Sequence, residues 1–126
     1  MEPTRILIVD DEPSTAEMFS LMLEGAGYQT SVVHGTGTAI RAIRQQKPDL
    51  VVVDVMMPGV SGLEFCRFVR REPGLEDLPV VIVSAKGQDE DVEAGMQAGA
   101  DAYLKKPLTK VELLEGLQRA LGRRSE

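Results

Sequence analysis

The chain has 126 residues, which fits one domain and hardly two. Hydrophobic residues make up 43% and charged residues 27%, the balance of a folded globule and not of a disordered tail. With 14 basic and 20 acidic side chains the formal charge is −6, which argues against a domain that grips nucleic acid by itself. The single cysteine excludes an internal disulfide and a multi-cysteine zinc site.

The first apolar run, Ile6-Leu7-Ile8-Val9, is cut off by Asp10 and Asp11. It is too short for the core of a signal peptide. No segment approaches the roughly 20 apolar residues that span a bilayer, so a reducing, cytoplasmic setting is expected. The run is rich in β-branched residues and does not alternate with polar ones, the pattern of a strand buried on both faces. Pro13 opens a helix, where its missing N–H costs nothing. In that helix Met18, Leu21, Met22 and Gly25 follow i, i+3, i+4, i+7 spacing, the stripe of an amphipathic helix. Gly25 and Gly27 close it. Tyr28 to Val33 is a weaker strand. Ala39, Ile40 and Ile43 mark a second helix.

Leu50-Val51-Val52-Val53 follows Pro48 as the next strand and ends at Asp54. Phe65, Cys66 and Val69 pattern a third helix, with Cys66 on its apolar face. Val80-Val81-Ile82-Val83 follows Pro79 and ends at Ser84. Val92 and Met96 mark a fourth helix, whose early Asp89, Glu90, Asp91 and Glu93 suit its macrodipole. Ala102-Tyr103-Leu104 follows Gly99 and runs into Lys105, Lys106 and Pro107. Leu113, Leu117 and Leu121 pattern a fifth helix. Five strand–helix units without internal repeat imply a parallel sheet with helices on both faces. The expectation is a doubly wound α/β domain over residues 1–126, with its core at about 5–121 and a polar tail or linker start at 122–126.

In such a sheet all strand C-termini lie along one edge, where open α/β folds bind ligands. Asp10, Asp11, Asp54, Ser84 and a lysine therefore converge there. Crowded carboxylates repel one another. A hard divalent cation relieves that, and an all-oxygen donor set suits Mg2+, with Mn2+ able to substitute. A carboxylate can act as a nucleophile towards phosphorus. A lysine can pair with a phosphoryl oxygen and a serine can donate to one. The edge is thus equipped for phosphoryl transfer onto an aspartate. Any one of these residues alone would read as an ordinary turn or cap; their agreement at four strand ends carries the inference.

The segments Ile6–Pro13 (ILIVDDEP), Leu50–Gly62 (LVVVDVMMPGVSG), Val80–Ala85 (VVIVSA) and Gly99–Leu108 (GADAYLKKPL) resemble the receiver domain of two-component response regulators. The resemblance runs from Arg5 to about Leu121. It implies a five-stranded, flavodoxin-like sheet in the order 2-1-3-4-5 with five helices. It implies that Asp10 and Asp11 hold Mg2+, and that Asp54 is both phosphoacceptor and metal ligand. The Met56 backbone carbonyl is then the remaining protein ligand. Ser84 takes the hydroxyl position, where threonine is commoner. Lys106 is the phosphate-pairing lysine, with a cis bond to Pro107, and Lys105 is a neighbour facing elsewhere. Tyr103 is the switch aromatic.

The same resemblance implies a signalling switch and not a turnover enzyme. A histidine kinase or histidine phosphotransfer protein donates the phosphoryl group to Asp54. Ser84 and Tyr103 then reorganise, and the surface of the fourth helix, fifth strand and fifth helix is read by an output domain or target protein. No nucleic acid or membrane contact by this domain is implied. The domain dephosphorylates itself, at a rate tuned by Met56 and Lys86. A phosphorylation-dependent homodimer is open, although Val111, Gly116 and Ala102 depart from the charged pairs of the winged-helix class. The chain can equally be a stand-alone regulator or the receiver of a multidomain regulator or hybrid kinase.

Two other classes compete. A haloacid-dehalogenase-type phosphatase needs an aspartate two residues after its nucleophile, and the positions after Asp10 and Asp54 hold Glu12 and Met56. A phosphorylation-independent interaction module usually lacks an acidic residue or the lysine, and both are present here. Gly35 and Gly37 do not extend into a P-loop. His34 is expected as a loop or helix-start residue. Arg70-Arg71 and Arg123-Arg124 are expected on a solvated surface.

Overall fold

The computed structural model describes residues 3–57 and 59–124. Five strands alternate with five helices: β1 (Arg5–Val9), α1 (Pro13–Gly25), β2 (Gln29–Val33), α2 (Thr36–Gln45), β3 (Leu50–Asp54), α3 (Gly62–Arg71), β4 (Val80–Ser84), α4 (Asp89–Gln97), β5 (Ala102–Lys105) and α5 (Lys110–Arg124). The strands form one parallel sheet in the order β2-β1-β3-β4-β5. Every unit begins with a strand and returns over the sheet as a helix, the connection that parallel pairing requires.

The unbroken apolar runs are explained by the pleat. Leu7, Val9, Val51, Val53, Val80 and Ile82 face one layer, with Ala39 and Ile43 of α2 and Phe65, Cys66 and Val69 of α3. Ile6, Ile8, Leu50, Val52, Val81 and Val83 face the other, with Ala16, Phe19 and Leu23 of α1 and Leu113 and Leu117 of α5. Adjacent residues on a strand point to opposite faces, so two-sided burial removes any alternation. No helix among the described residues is long and apolar enough to cross a membrane.

The buried face of α1 differs from the stripe that the spacing marks. Met18 is 44% and Leu21 64% exposed, whereas Ala16, Phe19 and Leu23 are fully buried. Apolar residues stand on two neighbouring stripes of this helix, and spacing alone does not choose between them. Packing against β1 and β2, with α5 alongside, chooses the one with the aromatic ring. The end of α1 is a left-handed glycine cap: Gly27 has φ +96°, its N–H donates to the Glu24 carbonyl, and the Tyr28 N–H donates to the Leu23 carbonyl.

The reading of Arg70 as a solvated residue is also corrected. Its guanidinium donates to Asp101 Oδ2 at 2.9 Å and to the carbonyls of Gly99, Leu78 and Glu76. The Asp101 side chain is fully buried and also accepts the Val80 N–H at 2.9 Å. Arg123 reaches the other Asp101 oxygen at 3.7 Å. A charge run in a sequence does not show that one of its members faces a buried carboxylate. The fifth helix runs on through Arg124, so residues 122–124 are helical, while Ser125 and Glu126 lie outside the described residues.

Candidate functional site

The register places the polar residues side by side. Val9 is level with Val53 across β1 and β3, so Asp10 and Asp54 leave neighbouring strands at the same height. Ser84 pairs with Lys105 across β4 and β5, which brings Lys106 to the same edge. The strand order reverses between β1 and β3, so this is the crevice where the two halves of the sheet diverge.

Carboxylate oxygens of Asp10, Asp11 and Asp54 lie within 4.8 Å of one another. Asp10 and Asp54 are buried and Asp11 is exposed, so the cluster opens to solvent on the Asp11 side. Lys106 Nζ donates to Asp54 Oδ2 at 2.8 Å and to Asp10 Oδ2 at 3.2 Å. The second oxygens are held by the backbone. Asp10 Oδ1 accepts the Glu12 N–H at 2.9 Å, and Asp54 Oδ1 accepts the Met56 N–H at 2.9 Å. Three carboxylates against one ammonium leave two negative charges, the complement of one divalent cation. All the donors are hard oxygens, which fits Mg2+.

Lys106 titrates above its ordinary value. Burial acts to lower it, but the hydrogen bond and charge of Asp54, and then those of Asp10, outweigh the burial. Its ammonium also lies 5.9 Å from the centre of the Phe19 ring. The Lys106–Pro107 peptide bond is cis.

Ser84 is completely buried, and its Oγ accepts the Lys86 N–H at 3.1 Å. The Lys86 carbonyl in turn accepts the Tyr103 hydroxyl at 2.6 Å. Tyr103 is partly buried beside the layer formed by α2 and α3. Its hydroxyl titrates above the ordinary tyrosine value. Burial raises it most, the Ser84 hydroxyl pulls the other way, and the charges of Asp91 and Asp54 raise it further. Lys105 lies outside the carboxylate cluster, with its methylenes against Gly87.

Two supports of the site were not legible in the sequence. The His34 ring Nδ1 is 2.9 Å from the Asp10 carbonyl, which can only accept, so this nitrogen carries the proton. The only sequence signal is that His34 directly follows a strand that flanks the site. Gly62 opens α3 under the loop after Asp54. A Cβ there would lie 2.3 Å from the Asp54 carbonyl oxygen, so only glycine lets the helix start so close to β3. The Ser61 hydroxyl caps α3 by accepting the Glu64 N–H at 3.3 Å. Met56, two residues beyond Asp54, is 54% exposed, so its thioether stands at the mouth of the site.

Comparison with known proteins places the sequence and the fold. Residues 6–118 match the model of the response regulator receiver domain. The chain is 40% identical over 122 residues to the DNA-binding response regulator MtrA of Mycolicibacterium smegmatis, covering 97% of this chain and 52% of that protein. It is 40% identical over 118 residues to the phosphate regulon transcriptional regulatory protein PhoB of Pseudomonas aeruginosa, covering 94% of this chain and 52% of that protein. The chain thus spans about half the length of the curated relatives it matches. Among solved structures, the signal receiver domain of a signal transduction histidine kinase from Syntrophus aciditrophicus aligns with a TM-score of 0.87 at 35% identity, over 95% of this chain and 91% of that one. The chemotaxis response regulator CheY4 of Vibrio cholerae aligns with a TM-score of 0.88 at 29% identity, over 94% and 99%.

Proposed function

This chain belongs to the response regulator receiver domain family, and on that premise we propose that it is a switch thrown by phosphorylation of Asp54. The observation that carries the reading is the seat of Lys106, whose ammonium bridges Asp54 and Asp10 inside a cluster of three carboxylates.

Asp10, Asp11 and Asp54 would hold Mg2+, with the Met56 carbonyl assigned to the same ion by resemblance. When bound, the ion offsets the negative charge of a phosphoryl group. The remaining steps belong to the chain's own residues. The backbone N–H of Met56 fixes Asp54 Oδ1 and the ammonium of Lys106 holds Oδ2, so the carboxylate cannot turn away from the mouth of the cleft. An Asp54 oxygen attacks the phosphorus of a phosphohistidine. The P–N bond breaks and the imidazole leaves with the electron pair. Lys106 then pairs with the new phosphoryl oxygens instead of the carboxylate. The added charge of about −1.5 to −2 is the local trigger. The Ser84 hydroxyl turns from the Lys86 N–H towards the phosphate, and Tyr103 and the α4–β5–α5 surface respond. Hydrolysis of the acyl phosphate resets the switch.

The donor under this reading is a histidine kinase or histidine phosphotransfer protein in the cytoplasm. Because relatives of about twice this length carry the names of DNA-binding and transcriptional regulators, the reader of the switched surface is an output domain or target protein. Intact-mass measurement after incubation with acetyl phosphate and Mg2+ tests the proposal. Wild type should gain one phosphoryl group that requires Mg2+, and Asp54→Asn should gain none. No adduct from acetyl phosphate or from a phosphorylated kinase would overturn it in favour of a phosphorylation-independent interaction module.

A further inference from the structure

Gly95 stands inside α4, where glycine is the least favourable residue after proline. Its backbone does not call for glycine, because the left-handed glycines of the chain are Gly27, Gly59, Gly74 and Gly99. What the position uses is the missing side chain. A Cβ built on Gly95 would lie 2.6 Å from Tyr103 Cδ2, 3.0 Å from Cε2 and 3.3 Å from Ile82 Cδ1. The first of these distances cannot be met without movement. Gly87 presents a milder case: its Cβ would meet the flexible methylenes of Lys105, which can yield. The Tyr103 ring has less freedom, since its hydroxyl is fixed on the Lys86 carbonyl at 2.6 Å.

We propose that Gly95 is a positioning residue: the notch it leaves in α4 seats the Tyr103 ring and so sets the balance between seated and unseated positions of that ring. A chain of contacts then joins α4 to the site. The ring rests on Gly95, its hydroxyl donates to the Lys86 carbonyl, and the Lys86 N–H donates to Ser84 Oγ. The seating of the ring follows from these contacts alone; its consequence for signalling rests on the switch reading above.

The protein has two tyrosines, Tyr28 and Tyr103, so ring-labelled tyrosine gives two sets of NMR signals that Tyr103→Phe assigns. Gly95→Ala should move the Tyr103 ring signals, leave those of Tyr28 in place, and shift the Gly87 amide as Tyr103→Phe does. It should lower Tm in the wild-type background and raise it in a Tyr103→Ala background, where the ring is gone, the end of the Ile82 side chain at 3.3 Å yields into the space it leaves, and the helix preference for alanine prevails. Unchanged Tyr103 signals, or a Tm change of the same sign in both backgrounds, overturns the notch. If Gly95→Ala does not fold alone, Gly95→Ala with Tyr103→Ala must fold, and its failure also overturns the proposal. The Asp54 mass adduct is read separately. Its absence in wild type defeats the switch reading and leaves the ring measurement standing.

Discussion

Arg70 donates to Asp101 Oδ2 at 2.9 Å, from the last turn of α3 to the turn that enters β5, with the carboxylate wholly out of solvent. The same guanidinium satisfies the carbonyls of Gly99 and Leu78, and the same carboxylate accepts the Val80 N–H. One ion pair therefore ties α3, the start of β4 and the entry to β5 together. Breaking a buried pair from one side costs about 3–5 kcal/mol, and Arg123, largely exposed and 3.7 Å from the other Asp101 oxygen, offsets only part of the charge left behind. Arg70→Met should lower stability by about that much in urea unfolding, and Asp101→Asn by less, since the amide oxygen still accepts the Val80 N–H. A loss below about 1 kcal/mol for Arg70→Met would show that the pair is solvated after all.

The buried stripe of α1 predicts a contrast between two leucines. Leu23→Ala removes a fully buried side chain and should cost about 2–5 kcal/mol. Leu21→Ala, on the exposed stripe, should stay within about 0.5 kcal/mol of wild type. Equal losses in the two variants would put the buried face where the spacing of Met18 and Leu21 places it.

Gly62→Ala should act on both stability and chemistry. Its methyl would press on the Asp54 carbonyl, and overpacking of this kind costs about 1–3 kcal/mol. Because the strained atom belongs to the phosphoacceptor itself, the rate of adduct formation with acetyl phosphate should fall as well. A variant that is destabilised but phosphorylated at the wild-type rate would confine Gly62 to packing.

Met56 offers no side-chain oxygen with which to hold an attacking water at the mouth of the site. Met56→Asn should shorten the lifetime of phosphorylated Asp54 severalfold, measured by the decay of the mass adduct after the donor is removed. An unchanged lifetime would leave the reset rate to other residues.

Tyr103 predicts a loss of stability in alkali. Burial, with the Asp91 and Asp54 charges, raises its hydroxyl above the ordinary value of 10.0 even though the Ser84 hydroxyl opposes them. A group held above its unfolded value contributes stability that is complete below about pH 10 and disappears as pH rises through the folded value. Wild type should therefore lose urea resistance above pH 10 more steeply than Tyr103→Phe, with the two curves parallel between pH 7 and 9. Parallel curves throughout would mean that the ring is solvated.

The fold was legible because its signals are local. Two-sided burial of the strands shows as unbroken runs at Ile6–Val9, Leu50–Val53 and Val80–Val83, and the glycine and proline punctuation marks where each unit turns. The grouping of the polar strand ends was legible for the same reason: a parallel sheet carries every strand end to one edge, so Asp10, Asp11, Asp54, Ser84 and a lysine could be placed together before any distance was known, while the choice of Lys106 over Lys105 came from the resemblance to receiver domains. What was not legible lies in relations between units. Nothing local to α1 says that Phe19 and Leu23, and not Met18 and Leu21, meet the sheet. Nothing near Arg70 says that Asp101 will be buried opposite it, and nothing near Gly95 says that the Tyr103 ring will lie against it. Patterns along the chain report how each segment partitions between water and protein, which is a property of its own residues. Which partner each side chain meets is decided only when the layers close, because packing distances and ion pairs are properties of two segments at once.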